Sequence, residues 1–567
     1  MTRPIADVDE VADRFLDGVL ERDPVSATRI GDRRWDDRLP DFGDAGRAAE
    51  AAACRGLLTE AEAIRHQPTG EQAVTLEMLV LLARNRLEAM EQKQYQLAVD
   101  HMMGVQTLPA EIAEFQPAQQ PDALDALLAR FAAYPRAITQ HIATLREGIG
   151  DGRTSQPAPV RKTIAHIERM LARPPAESRA VTLAQVASEV ARDRVKQAVE
   201  AHVYPALQLL RDFLAEVYEP AARSEPGLSS TPNGERAYEL AIRLQTTLQT
   251  APDDLHRFGL AEVEHIEAEM DELARRLGYS DREPLRRQLI EEPANQPIAR
   301  QQQLDVATER VRQAEASAPR FFRRLPRAAC NVKPIDGDLE DFQQTHYWPP
   351  ARDGSRPGLF YLNTNPHPGL PLPMLPVVTF HEAIPGHHFQ VAIEIELSGL
   401  PRFRTEIASV SGSAALPPPS GTGFIEGWGL YAERLADEMG LYASDLERLG
   451  MLEFQLYRAV RVVADTGLHA YRWSREQAID YFRERLGAPR AFAETEVDRY
   501  LVWPAQALAY KVGQREIEQA RREVSERMGG RFDLAVFHDE VLGHGTLPLT
   551  IFRREIPGWV EAASQSG

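Results

Sequence analysis

Residues 375–390 read LPVVTFHEAIPGHHFQ, an apolar run that leads into a His-Glu pair and then into two adjacent histidines. The pair Pro385–Gly386 predicts an interruption of the helix, because proline removes a backbone N–H and its ring clashes with the preceding turn. In an unbroken helix His381 and His387 would differ by about 240° around the axis. His388 would share the face of His381 but lie about 10 Å further along. A local break is therefore needed before two of these imidazoles can meet.

The size of the break decides which histidine joins His381. A bulge that absorbs the Pro-Gly pair brings His387 to the same face, whereas a bulge of three residues would choose His388. We favour His387, because the glycine before it leaves space for a close approach. Converging histidines with an adjacent glutamate are typical of zinc hydrolases, while core histidines are the alternative. We predict one zinc ion per chain, with Glu382 as the general base.

A zinc hydrolase needs a third protein ligand and an open position. The segment GFIEGWGLYAERL (423–435) offers Glu426, whose apolar neighbours indicate burial. A buried carboxylate requires a partner, and a metal ion is one. Glu433, two turns further along, is predicted to hold the N–H of a ligating histidine. For both glutamates the alternative is an ordinary surface position.

Amide hydrolysis also needs hydrogen-bond donors for the oxyanion. Tyr510, in PAQALAYKVG, is the first choice, and a core tyrosine is the alternative. Arg461, Asp465 and His469 recur at four-residue steps and share one helix face. They form either a structural row of ion pairs or a means of aiming Arg461 or His469 into the site.

Helical patterns extend outward from this region through most of the chain. Apolar residues recur at three- and four-residue steps, and Pro or Gly marks the ends of segments. The predicted helices include 8–21, 72–95, 121–147, 182–218, 235–278 with a break near Pro252, 424–442, 444–470, 474–486 and 505–528. We predict a mainly α fold and a single large domain, 1–567, with a mainly helical part, 1–330, and a part that carries the metal site, 331–567.

The stretch after residue 330 is rich in Pro, Gly and aromatic residues and poor in helical periodicity. Within it GLFYLNT (358–364) predicts a short strand, which is either a substrate edge or part of a surface connector. A second loop, SGSAALPPPSGTG (411–423), is flexible in composition and is a candidate lid.

Composition limits the function further. The 567 residues are 43% hydrophobic and 26% charged, with a formal net charge of −19, which is typical of a globular protein. The acidic charge disfavours nucleic acid and anionic membranes as partners. Two cysteines, Cys54 and Cys330, exclude a disulfide scaffold and a cysteine-rich zinc site. No signal-peptide or membrane-spanning run is evident, so we expect a cytoplasmic location.

Several motifs together resemble a known bacterial family, domain of unknown function 885. They are HEAIPGHHFQ, FIEGWGLYAE, DTGLHAYRWS, PAQALAYKVG, FHDEVLGHGTLPL and DGSRPGLFYLNT, and FLDGVLERDPVSATRIG resembles the family more loosely. That family is similar to the helical gluzincin metallopeptidases, such as oligopeptidases, angiotensin-converting enzyme and thermostable carboxypeptidases. The Pro-Gly insertion between the histidines departs from the His-Glu-x-x-His pattern of those enzymes.

The resemblance implies two helical lobes around a deep cleft, with a short strand that pairs with the substrate backbone. It makes GLFYLNT that strand, with Tyr361 and Asn363 as substrate-binding residues, Glu426 as the third ligand and Tyr510 as the oxyanion donor. An enclosed cleft would restrict the substrate to short peptides.

The predicted function is therefore that of a metallopeptidase acting on short peptides. One alternative is a metal-dependent hydrolase of another small amide or ester, in which only the pocket would differ. The other is a helical binding protein with a degenerate site. The Pro-Gly insertion favours the binding protein, whereas a glutamate placed as a base disfavours it.

Overall fold

The structure is a computed structural model that describes residues 7–64, 68–335, 344–351, 354, 356–365, 370–409 and 421–566. It is mainly helical, as the periodicity predicts, with two small sheets. The candidate lid at 411–423 falls almost entirely outside these residues. Within the described ranges, every helix is too short or too polar to cross a bilayer.

The predicted helices agree with the observed ones to within a few residues at most ends. The first half contains α1 (Val8–Arg22), α2 (Pro24–Arg29), α3 (Asp44–Ile64), α4 (Glu71–Glu91), α5 (Leu108–Phe115), α6 (Pro121–Gly150), α7 (Pro157–Ala172), α8 (Arg179–Thr182), α9 (Glu189–Ala198), α10 (Tyr204–Phe213), α11 (Gly234–Thr246) and α12 (Pro252–Arg276). The predicted helix 182–218 is α9 and α10, joined by a π-helical turn at Val199–Val203. The break near Pro252 separates α11 from α12, because Pro252 begins the new helix.

The second half contains α13 (Arg282–Glu291), α14 (Arg300–Ser317), α15 (Leu375–Glu382), α16 (His387–Glu396), α17 (Arg402–Glu406), α18 (Thr422–Glu438), α19 (Asp445–His469), α20 (Arg475–Leu486), α21 (Arg490–Val502), α22 (Ala509–Met528), α23 (Leu534–Gly543) and α24 (Leu549–Ser566). In this half α18 packs along α22, and both α15 and α18 contact α19.

The predicted strand exists, but it is not at an edge. Strands β1 (Pro117–Ala118) and β2 (Gln185–Val186) form a parallel pair, and β3 (Cys330–Pro334), β4 (His346–Trp348) and β5 (Gly358–Leu362) form a sheet of order β3-β5-β4. Strand β5 pairs parallel with β3 on one side and antiparallel with β4 on the other. The expectation that GLFYLNT pairs with a substrate backbone is therefore wrong, because both of its neighbouring positions in the sheet are filled.

The buried apolar side chains form two main clusters. The larger one draws on α1, α3, α4 and most of the helices from α11 to α24, and it encloses Trp428. The second lies mainly within residues 99–218, with Val25 and Phe42. The compositional change near residue 331 marks the start of the three-stranded sheet and not a boundary between cores.

Glycines bring α18 and α22 unusually close together. A Cβ built on Gly427 would lie 2.4 Å from the Cα of Gly513, and one on Gly513 would lie 1.8 Å from the carbonyl oxygen of Gly423. Any side chain at these positions would force the two helices apart. This contact sets Tyr510, in the first turn of α22, beside the helix that carries Glu426.

Candidate metal centre

The helix break at Pro385–Gly386 is present and is held in place by α18. Helix α15 ends at Glu382, and α16 begins at His387. The indole N–H of Trp428 donates to the carbonyl oxygen of Pro385 at 2.9 Å. A Cβ on Gly386 would lie 1.9 Å from the carbonyl oxygen of His381, so only glycine fits this turn. Across this turn the His387 imidazole meets that of His381, with ring centres 4.7 Å apart.

The structure brings His381, His387 and Glu426 together, with one potential ligand atom from each within 4.8 Å of the others. Glu426 Oε2 lies 3.6 Å from His381 Nε2 and 3.5 Å from His387 Nε2. Two ligands bound tetrahedrally at about 2.1 Å are separated by about 3.4 Å. The observed spacings are close to this edge length, so the three groups suit a single ion.

A glycine provides the space for the two imidazoles. Gly429 lies on α18, three residues after Glu426. A Cβ at this position would lie 2.8 Å from His381 Cε1 and 3.0 Å from His387 Cε1, closer than ordinary van der Waals contact. The absent side chain is therefore a condition for the convergence of the ligand atoms.

Behind His381 lies a buried polar network. Its Nδ1 is 2.9 Å from Glu433 Oε1, and the other carboxylate oxygen of Glu433 accepts from Gln455 at 2.8 Å. Lys511 donates to Gln455 Oε1 and to Glu262, at 3.1 and 2.9 Å. Such a carboxylate fixes the tautomer and orientation of a ligating imidazole.

The carboxylates make this cluster attractive to a cation. Burial alone would lower the pKa of His381, but Glu426 and Glu433 raise it to about 10. Burial works against ionisation of Glu426, and the two imidazoles overcome this effect and hold its pKa well below the ordinary value. A positive charge at the centre is thus strongly favoured.

His388, the alternative second ligand, points elsewhere. Its Nδ1 is 2.9 Å from the hydroxyl of Tyr347, and its Nε2 donates to the carbonyl oxygen of Ala328 at 3.0 Å. Burial lowers the pKa of His388 to about 4, so the imidazole is neutral. Both nitrogens are engaged in joining α16 to the sheet region.

Two further predicted residues lie beside the cluster. Glu382 is partly exposed and directly follows His381 at the end of α15. The ring of Tyr510 lies 6.4 Å from the His381 imidazole, with the two planes 22° apart. The Tyr510 hydroxyl makes no hydrogen bond to the described residues. It is therefore available to a ligand.

The structure does not support a catalytic role for His469. Its Nδ1 accepts from the N–H of Leu228 at 3.2 Å, and its Nε2 donates to the carbonyl oxygen of Tyr500 at 3.0 Å. Burial lowers its pKa to about 3. His469 is a core histidine that joins distant segments, and the prediction that it acts in catalysis is wrong.

Of the two alternatives for the α19 face, the row of ion pairs is not found among the described residues. Asp465 accepts from the hydroxyl of Tyr238 at 2.6 Å and from the N–H of Ala505, and it does not pair with Arg461 within the described chain. Arg461 instead lies over the ring of Tyr510, 4.3 Å from its centre.

The contacts described for Tyr361 and Asn363 belong to the sheet. Tyr361 stacks on His346 at 5.2 Å, and the backbone N–H of Asn363 donates to Thr345. Sequence reasoning missed Arg458, which also faces Tyr510. The sequence does contain an indication of this role, because Arg458 precedes Arg461 by one helical turn within an apolar run.

Comparison with known proteins gives a family. The family model described as bacterial protein of unknown function, DUF885, matches residues 24–556. The chain belongs to the DUF885 family. No curated protein matches this DUF885 chain.

Solved structures share the fold over nearly the whole DUF885 chain. One is "the putative lipoprotein from Colwellia psychrerythraea", at 25% identity and a TM-score of 0.88, covering 98% of this chain and 99% of that one. Another is "a putative lipoprotein of unknown function from Shewanella oneidensis", at 18% identity and a TM-score of 0.75, covering 97% and 99%. At 18% identity, the likeness to the Shewanella oneidensis protein shows only that the two chains share a fold.

Proposed function

We propose that this protein is a zinc-dependent hydrolase, specifically a metallopeptidase that cleaves short peptides. The observation that carries the proposal is the convergence of His381, His387 and Glu426, in which Glu426 lies from each imidazole nitrogen at close to the edge length of a tetrahedral site. Imidazole nitrogen with carboxylate oxygen is a donor set that suits zinc, and three protein ligands leave one position open. Glu433 contacts the Nδ1 of His381, and contacts of this kind orient the ligating histidines of zinc sites.

The chemistry then follows from the neighbouring side chains. His381, His387 and Glu426 would hold the ion, which as a Lewis acid polarises a carbonyl and lowers the pKa of water. Glu382 would take a proton from the water that attacks the carbonyl carbon and give it to the amine nitrogen as the C–N bond breaks. The hydroxyl of Tyr510 would donate to the developing oxyanion.

Zinc content tests the ligands, and peptide hydrolysis tests the base. Purified wild type should contain one zinc per chain and His381→Ala almost none, whereas His265→Ala, a change at an exposed histidine, should keep it. Glu382→Gln should retain zinc and no longer hydrolyse a mixture of di- and tripeptides followed by mass spectrometry. Unchanged zinc in His381→Ala would reject the metal centre, and full activity of Glu382→Gln would reject the base.

One observation favours the alternative of a binding protein without catalysis. The Nδ1 of His387 is buried and has no hydrogen-bond partner among the described residues. The second imidazole therefore lacks the support that Glu433 gives to the first. A wild type that holds zinc and hydrolyses none of the peptides would support this alternative.

The location of the protein is a separate question. The word lipoprotein in the description of the solved relative at 25% identity supports a site outside the cytoplasm for this chain as well. The sequence itself predicts a cytoplasmic location. Cell fractionation followed by immunoblotting decides between the two.

A further inference from the structure

Three arginines, Arg458, Arg461 and Arg499, gather in the neighbourhood of Tyr510 and Gln506. The guanidinium carbon of Arg461 lies 4.3 Å from the centre of the Tyr510 ring, and that of Arg458 lies 5.5 Å away. Gln506 accepts from both Arg461 and Arg499, at 3.4 and 2.9 Å. The three arginines are only 8%, 1% and 8% exposed in chain order.

The protein leaves part of this positive charge without a partner. The carboxylate of Glu496 lies 3.9 Å from Arg461 and 4.0 Å from Arg499, beyond hydrogen-bond distance. The Nε atoms of all three arginines, and Nη1 of Arg458, are buried without a hydrogen-bond partner in the described chain. Aromatic rings offset some of the charge, but buried cations remain costly unless an anion joins them.

The cluster lies within reach of the proposed metal centre. The Tyr510 ring is 6.4 Å from the His381 imidazole, so the Arg461 guanidinium is within about 11 Å of that imidazole. One or two residues of extended peptide span about 3.5 to 7 Å. The distance therefore suits a short segment of peptide.

We infer that Arg458, Arg461 and Arg499 form a subsite for the C-terminal carboxylate of a peptide. A guanidinium donates charge-assisted hydrogen bonds to a carboxylate, and the unpartnered N–H groups of these three arginines could supply them. If the proposed function holds, on which this part of the inference rests, the subsite makes the protein a carboxypeptidase or a dipeptidase. Binding of the carboxylate itself does not depend on hydrolysis.

Binding of an acid and its amide tests the subsite directly. N-acetyl-Ala-Ala and N-acetyl-Ala-Ala amide are titrated calorimetrically into zinc-loaded Glu382→Gln protein, with and without a second change, Arg458→Gln. The acid should bind at least 10-fold more tightly than the amide, and Arg458→Gln should abolish that preference without changing the affinity for the amide. Arg522→Gln, a change at an exposed arginine on α22, should retain the preference. If circular dichroism shows that Arg458→Gln is unfolded, Arg499→Gln on α21 replaces it.

Equal binding of acid and amide, or no binding of either, would overturn the subsite. Hydrolysis by the wild type separates this outcome from failure of the proposed function. Cleavage of acid and amide peptides with equal kcat/KM would overturn the subsite and leave a peptidase. Selective binding of the acid without hydrolysis would leave the subsite and overturn the peptidase.

Discussion

A methyl group at position 429 would push the two imidazoles apart without removing any ligand. In Gly429→Ala the new Cβ would lie 2.8 Å from His381 and 3.0 Å from His387, where ordinary contacts begin at 3.4 Å. Each ring would have to withdraw by about 0.5 Å, while zinc bonds tolerate deviations of only about 0.2 Å. Disturbances of this kind weaken metal binding by about 10- to 100-fold, or about 1.4 to 2.7 kcal/mol.

The cost to the metal-free fold should be small, because the better helix propensity of alanine, worth up to about 1 kcal/mol, offsets part of the overpacking cost of about 1 to 3 kcal/mol. Competition with a chromophoric chelator measures the zinc affinity, and urea unfolding of the metal-free protein measures stability. Gly56→Ala, at an exposed glycine of α3 with open space around it, is the matched control and should leave zinc affinity unchanged. Wild-type zinc affinity in Gly429→Ala would refute the idea that both imidazoles bind one ion at this place.

Three further results are expected. Tyr510→Phe should lower kcat by about 100-fold and leave zinc content unchanged, because only a hydrogen bond to the oxyanion is lost; wild-type turnover would contradict that role. His388→Gln should retain zinc, since both nitrogens of His388 are engaged elsewhere; loss of zinc would make it a ligand. Burial raises the pKa of Asp465 to about 7, so the folded state holds its proton more tightly than the unfolded chain, where the pKa is near 3.8. The free energy of unfolding of the wild type, relative to that of Asp465→Asn, should therefore fall as the pH rises through the window from about 4 to 7. Urea unfolding should show a fall of about 2 to 3 kcal/mol between pH 5 and pH 7.5. A difference that does not change with pH would contradict this prediction.

Local chemistry explains what could be predicted from the sequence. The cost of proline inside a helix and the freedom of glycine predict the break at Pro385–Gly386, and the structure has it. The same argument favours His387 over His388, and His387 is the one that meets His381. Glu426 and Glu433 lie two turns apart on one helix, so their common direction also follows from local spacing.

Contacts between distant segments explain the failures. The sequence of β5 indicates a strand, but its interior position depends on pairing with β3, whose residues show no strong strand pattern of their own. Histidine is a residue type that often acts in catalysis, so the sequence suggests a role for His469. Its nitrogens are in fact occupied by the backbone groups of Leu228 and Tyr500, which are distant in the sequence. Arg499 joins Arg461 because α21 packs against α19, which no local spacing predicts.

The buried network behind His381 is an argument that this region was not selected for stability alone. Glu433 and Gln455 are fully buried and Lys511 nearly so, although a hydrophobic set of similar volume is often at least as stable as buried charges. Lys511 joins this network to Glu262 at one end, and at the other end Glu433 contacts the Nδ1 of His381. Glu433 thereby fixes the orientation of the imidazole whose opposite nitrogen, Nε2, lies 3.6 Å from Glu426 Oε2, and the potential ligand atoms of His381, His387 and Glu426 all lie within 4.8 Å of one another.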